Sequence, residues 1–423
     1  MMSTKSDNPE MYRKRRQKLA EQIDEGIALI NSAGVAPDPN LFDKNLRYLT
    51  GLDSKKATLL LAPRGVTIDR WETRTGPEVG RGRKVKEVLF VEERSDREIF
   101  MDGQGSSADR IREQSGVEAI INLTKMDQIV STALMKEDVI WLNTPNNPGL
   151  SGPMPAEIAL INQMRDRFYW LDYRNIAPKI HDQRWVKEPY EIECLRRAFA
   201  YHTEIFEKVV RALKPGTNEA LGQAIFEYEV RQKPGEFTFG LDLYDDAIIV
   251  AAGKNSSIAH YMDNDQEISD GDLVLIDSGV ACDGYYSDIS VTFPANGQFT
   301  PRQRELYSIV LEAQNIAIAT MTPGSSQLES HKAVYDHFKK YGLDQYNYGT
   351  CGHPVGLNIH DATGDQDKPY EPGVVVVIEP FLVIPEEGIG IRIESGVLVT
   401  DNGPELLPCP TREIEQLQAL CQG

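Results

Sequence analysis

The sequence is poor in cysteine, has an excess of anions over cations, and contains no long apolar run. Its five cysteines (Cys194, Cys282, Cys351, Cys409 and Cys421) are odd in number, widely spaced and without a C-x-x-C pair. Neither a disulfide framework nor a zinc ribbon is expected, and a reducing cytoplasm is the simplest compartment. The start, MMSTKSDNPEMYRKRRQK, has no apolar core of the kind a signal peptide needs. No apolar run reaches the roughly 18 residues that a spanning helix requires, so no membrane partner is expected. With 45 Lys+Arg against 64 Asp+Glu the formal net charge is −19, which repels nucleic acid and anionic lipid alike. What is present is ordinary globular material, 41% hydrophobic and 26% charged over 423 residues. That length is about three times one ordinary domain, so two domains with real cores are expected.

Along the chain, residues 11–24 read as helix, and IALINSAG and ATLLLAP read as short strands bounded by Gly and Pro. The pattern continues to VIWLNTP. The Gly- and cation-rich stretch Thr73–Lys86 reads as a solvated loop, since GPEVGRGRK lacks the spacing of a phosphate-binding loop. A composition change near Ile176 places the expected domain junction there, giving domains 1–176 and 177–423. The second opens on a long amphipathic helix with Ile192, Leu195, Phe199, Ile205, Phe206, Val209 and Val210 at helical spacing and Pro189 in its first turn. It ends at Lys214-Pro215-Gly216-Thr217 before a second helical stretch. The same grammar recurs at Gln303–Ala319 and Thr322-Pro323-Gly324-Ser325, and each helix pair leads into strand-like runs. An α/β chain is therefore expected, with two similar halves in its second domain. The plainer alternative is that P-G is a common helix stop.

Chemistry concentrates in those halves. Asp277 ends the apolar run Leu273–Ile276, and Asp288 lies inside YYSDISV. Charged side chains within β-branched strands are costly to bury unless paired or bound to a cation. His353 in CGHPVG, Glu379 after VVVVI and Glu394 in GIRIES complete a set of four carboxylates and one imidazole. Singly, each has a bland reading as a turn residue, a strand end or a structural histidine. Jointly, D-x10-D, H-x6-H and E-x14-E, each tied to an apolar run, point to a site for two divalent cations. An oxygen-rich shell favours manganese, zinc or cobalt.

From about Lys187 to Gly403 these residues resemble the pita-bread metallopeptidases, the family of methionine aminopeptidase, Xaa-Pro aminopeptidase (aminopeptidase P) and prolidase. The matches are VAAGKNSSIAHY, DGDLVLIDSG, GYYSDISVTFP, GHPVGLNIHD, PGVVVVIEP and IGIRIESGVLVT. LRYLTGL (Leu46–Leu52) and VLFVEERSDREIFMDG (Val88–Gly103) resemble the N-terminal domain of the aminopeptidase P type. The resemblance implies an α/β N-terminal domain followed by a pita-bread domain with two pseudo-symmetric halves.

Residue by residue, it implies that Asp277 chelates one metal, that Asp288 and Glu394 bridge two, and that His353 and Glu379 complete the other shell, with Mn2+ the expected ion and Zn2+ or Co2+ its competitors. Glu379 would also shuttle a proton from the attacking water to the leaving nitrogen. His260 and His360 would flank the scissile peptide and hydrogen-bond its oxyanion. Arg392 would orient the bridging carboxylates or substrate, with a plain salt bridge as the alternative. His181, His202, His331 and His337 read as ordinary surface or core residues. The activity implied is hydrolysis of the N-terminal Xaa-Pro bond of peptides with proline second, by a homo-oligomer (dimer or tetramer). A prolidase restricted to dipeptides is the alternative, and after it a non-catalytic binding scaffold that kept its metal shell. Metal-free relatives such as creatinase, and binding scaffolds, lose the acidic positions, and all are intact here. Gly349 stands where typical bacterial enzymes of this type carry a histidine, and Val383 where bacterial aminopeptidase P carries an aromatic residue.

Overall fold

The computed structural model describes residues 8–31, 44–54, 56–68, 82–94, 96–103, 105–144, 156–239, 248–347, 351–361 and 365–422. The chain divides between Arg184 and Trp185 into two compact units. The helix Ala177–Trp185 thus goes with the first unit, eight residues beyond the expected junction at 176. Its Ala177 and Ile180 are buried, so a helix that follows the last strand of a sheet stays with that sheet.

In the first unit, Asn8 caps the helix Pro9–Glu21 by accepting from the Met11 amide. Six strands form one sheet in the spatial order Ala119–Asn122, Arg83–Val91, Ala57–Ile68, Ile27–Asn31, Val139–Leu142, Asp172–Asn175. The central Ile27–Asn31 strand is buried along most of its length, as its unbroken apolar sequence requires. Leu29, Leu60, Val88, Phe90 and Ile140 make the core. Of the Thr73–Lys86 stretch, residues 73–81 lie outside the described residues. From Arg83 the chain is strand, because Val85 and Val88 turn into the core while Arg83 and Lys84 stay exposed.

The second unit opens on the helix Pro189–Ala212, with Pro189 in its first turn and a reciprocal Glu188–Glu191 capping box. Its buried stripe, Leu195, Phe199, His202 and Phe206, packs on the strands Leu273–Cys282 and Tyr285–Pro294. Phe237–Phe239 and Ile248–Ala252 also pair with the former strand. The second half repeats two helices, Pro301–Thr320 and Gln327–Lys340, before a sheet ordered Gly352–Pro354, Val375–Ile378, Ser395–Thr400, Gly403–Leu406. A hairpin of Phe381–Ile384 and Ile389–Arg392 stands beside it. The mixed α/β architecture read from the sequence is the one observed.

Candidate active site

Strand register explains how residues far apart in sequence share one surface. Strands 273–282 and 285–294 are joined through Asp283 and Gly284, both at positive φ as a two-residue hairpin turn requires. In that ladder Asp277 faces Ser290, and Asp288 faces Gly279. Since side chains alternate faces, Asp277 and Asp288 are diagonal neighbours on one face, which is what the D-x10-D spacing encodes. The second half repeats the device. His353 faces Val377, and the Glu379 amide donates to the Cys351 carbonyl at 2.8 Å, so His353 and Glu379 are also diagonal. Ile378 faces Ser395, and these two residues adjoin Glu379 and Glu394. The Glu394 amide donates to Ser290 O at 3.0 Å, joining the two halves at the site.

The side chains converge accordingly. Asp288, His353 and Glu394 each offer a ligand atom within 4.8 Å of the others. His353 Nε2 lies 3.5 Å from Asp288 Oδ2 and 3.7 Å from Glu379 Oε1. One buried cation stands beside them. Arg392 donates to Asp277 Oδ2 at 2.5 Å, to Ser290 Oγ at 2.9 Å and to Ala259 O at 3.2 Å, with Phe381 under its guanidinium at 4.9 Å. Ser290 Oγ passes the connection on to Glu394 Oε2 at 2.8 Å. Glu394 Oε1 is buried with no hydrogen-bond partner among the described residues.

Burial first, and then carboxylate neighbours, hold Asp288 and Glu394 well above the usual carboxylate range. Burial likewise lifts Glu379 to about 7, against the pull of Arg392. Burial, with His360 adding to it, lowers the His353 imidazole to about 3. Buried carboxyls that resist ionisation beside a neutral imidazole are arranged to ionise onto bound cations.

The sequence-predicted residues are distributed as follows. Asp277, Asp288, His353, Glu379 and Glu394 join the cluster, Asp277 beside Asp288, and Arg392 reaches it through Asp277 and Ser290. His360 stacks on His353, ring centroids 3.8 Å apart and planes at 10°. His260 is exposed and follows Ala259, whose carbonyl Arg392 holds. Val383 is buried among Ile249, Ala251, Tyr261, Leu275 and Phe381, while Gly349 lies outside the described residues. Two contributors escaped sequence reading. Ser290 bridges Arg392 to Glu394, and Gln314 donates to the carbonyls of Ile378 and Ile393, each one residue ahead of a site glutamate. A signal for Gln314 existed, an amide on the apolar stripe of Val310, Ala313 and Ala317.

Oxygen donors on one buried face, with a single imidazole and one orienting guanidinium, define a metal-dependent hydrolase. Residues 193–401 match the model of Metallopeptidase family M24, and residues 12–141 match that of the Aminopeptidase P, N-terminal domain. The chain belongs to the M24 metallopeptidases that carry this N-terminal domain, and it is a metallo-aminopeptidase using divalent metal ions. It is 28% identical to the Xaa-Pro aminopeptidase of Escherichia coli (strain K12), over 97% of this chain and 97% of that one. It is also 28% identical to the mitochondrial intermediate cleaving peptidase 55 of Arabidopsis thaliana, over 97% of this chain and 82% of the relative. The solved structure of E. coli aminopeptidase P with the inhibitor Pro-Leu superposes with a TM-score of 0.80 at 26% identity, covering 98% of each chain.

Proposed function

We propose that this chain hydrolyses the N-terminal Xaa-Pro bond of peptides, with Asp277, Asp288, His353, Glu379 and Glu394 holding two divalent cations, manganese the native pair. The observation that carries the reading is the unpartnered, buried Glu394 Oε1 facing a cluster with more anions than Arg392 can balance. Such ions would supply Lewis acidity toward the peptide carbonyl and a water of lowered pKa. Glu379 takes the proton of the attacking water and returns it to the leaving nitrogen. His260 and His360 donate to the carbonyl oxygen as its charge develops. Arg392 holds Asp277 and Ser290 in place, so the carboxylates meet their ions preset. A cytoplasmic location and a dimer or tetramer complete the proposal.

Mass spectrometry of an Xaa-Pro-Yaa and Xaa-Ala-Yaa peptide library, with manganese, cobalt or zinc added, tests it. Release of the first residue from the proline series alone is expected. Equal cleavage of the alanine series would remove proline from the reading and show that Gly349 and Val383 have opened the pocket.

A further inference from the structure

We infer that Glu219 is a positioning residue for the peptidase reaction, its buried carboxylate fixing the segment that carries His260. This rests on the proposed function. Glu219 begins the helix Ala220–Gln232 and is fully buried. It lies on the first-half side, away from the metal-site carboxylates in sequence. Its Oε1 accepts from the Ala252 amide at 2.7 Å and from Asn255 Nδ2 at 3.1 Å. Its Oε2 accepts from the Tyr261 hydroxyl at 2.9 Å and from the Gln266 amide at 2.9 Å. Four donors surround it and no cation among the described residues does, an arrangement that a carboxylate completes because it offers acceptors in every direction and no donor.

Those donors are not scattered. Ala252 ends a strand of the first-half sheet, Asn255 lies in the 3₁₀ turn Gly253–Ser257, and Tyr261 is the residue after His260. One carboxylate therefore ties both ends of the 252–261 segment. The opposite side of the segment is fastened to the site. The Gly390 amide donates to Ser256 Oγ at 2.9 Å, and a Cβ at Gly390 would lie 1.8 Å from the Ser256 carbonyl oxygen. Arg392 donates to Ala259 O. The segment is thus clamped between Glu219 and Arg392, and His260 projects from the clamp. Tyr261 stays protonated and able to donate, since burial and the Glu219 carboxylate push its phenol above the ordinary value.

Replacement by glutamine discriminates sharply. Whichever way the amide turns, its NH₂ meets a backbone N–H for which it offers no acceptor, that of Ala252 or that of Gln266. In the full-length metal-loaded chain, Glu219→Gln should speed hydrogen exchange at the Ala252 and Gln266 amides. It should lower kcat on an Xaa-Pro-Yaa peptide by about tenfold or more, with metal content unchanged. In a His260→Ala background the same change should cost less than about twofold, since its effect passes through His260. Tyr261→Phe, which removes one donor only, should show a smaller loss with the same dependence on His260. Unchanged exchange, or equal fold losses in the two backgrounds, would overturn the positioning role alone. No hydrolysis by the wild-type chain would overturn the peptidase reading and this role together.

Discussion

The rings of His353 and His360 stack at 3.8 Å between centroids, within 10° of parallel. One belongs to the proposed metal shell and the other to the substrate side, so the two functions share a wall while remaining separable by mutation. His360→Ala and His260→Ala should each lower kcat by on the order of 10²-fold, with metal content at the wild-type level. Loss of metal from either variant would make that histidine a ligand.

A buried ion pair sets the residue after His360. Lys187 Nζ donates to Asp361 Oδ2 at 3.1 Å with both side chains buried. Removing one partner strands a charge, so Lys187→Met should cost about 3–5 kcal/mol of stability, while Lys187→Met with Asp361→Leu should recover much of it. Denaturant midpoints of the three proteins decide this. A single variant as stable as the wild type would show that the pair does not hold the loop.

His202 gives the fold a pH dependence independent of catalysis. Its ring nitrogens meet Ser287 Oγ at 3.0 Å and Ser278 Oγ at 2.8 Å, the residues beside Asp288 and Asp277. Burial holds its imidazole down to about 3, against about 6.5 in an open chain. Between those values the unfolded chain binds a proton that the native chain refuses. The His202 contribution is therefore complete above about pH 6.5 and lost as pH falls toward about 3, at up to about 1.4 kcal/mol per pH unit. Unfolding free energies measured from pH 7 to pH 4 should fall less steeply in His202→Gln than in the wild type, and parallel curves would contradict the assignment.

The site was legible where local geometry writes itself into spacing. An eleven-residue separation around an Asp-Gly turn puts Asp277 and Asp288 on one face, and apolar runs announced the strands that Glu379 and Glu394 adjoin. Ser290, Gln314 and Glu219 left weaker traces, because their roles lie in contacts between the two halves or between distant segments that no local pattern encodes. The junction was displaced for a similar reason. A Pro-containing stretch after Ile176 reads as a linker, whereas burial of Ala177 and Ile180 makes it helix. Arg83–Lys86, cationic and loop-like in composition, became strand through pairing with residues 66–68.

Substrate length separates an aminopeptidase from a dipeptidase. A dipeptidase needs a cation for the free carboxylate, and Arg392 is already engaged by Asp277, Ser290 and Ala259. Xaa-Pro-Yaa peptides should therefore be cut with higher kcat/KM than the matching dipeptides, the added residues contributing to transition-state binding. Activity confined to dipeptides would move the assignment to prolidase.

Metal stoichiometry tests the central claim most directly. Elemental analysis of the purified chain should find two divalent ions per molecule, and Asp288→Ala should lose both, since a bridging ligand serves each ion. Exhaustive chelation should abolish hydrolysis of an Xaa-Pro peptide, and returned manganese should restore it. Full activity in the metal-free protein would contradict the account.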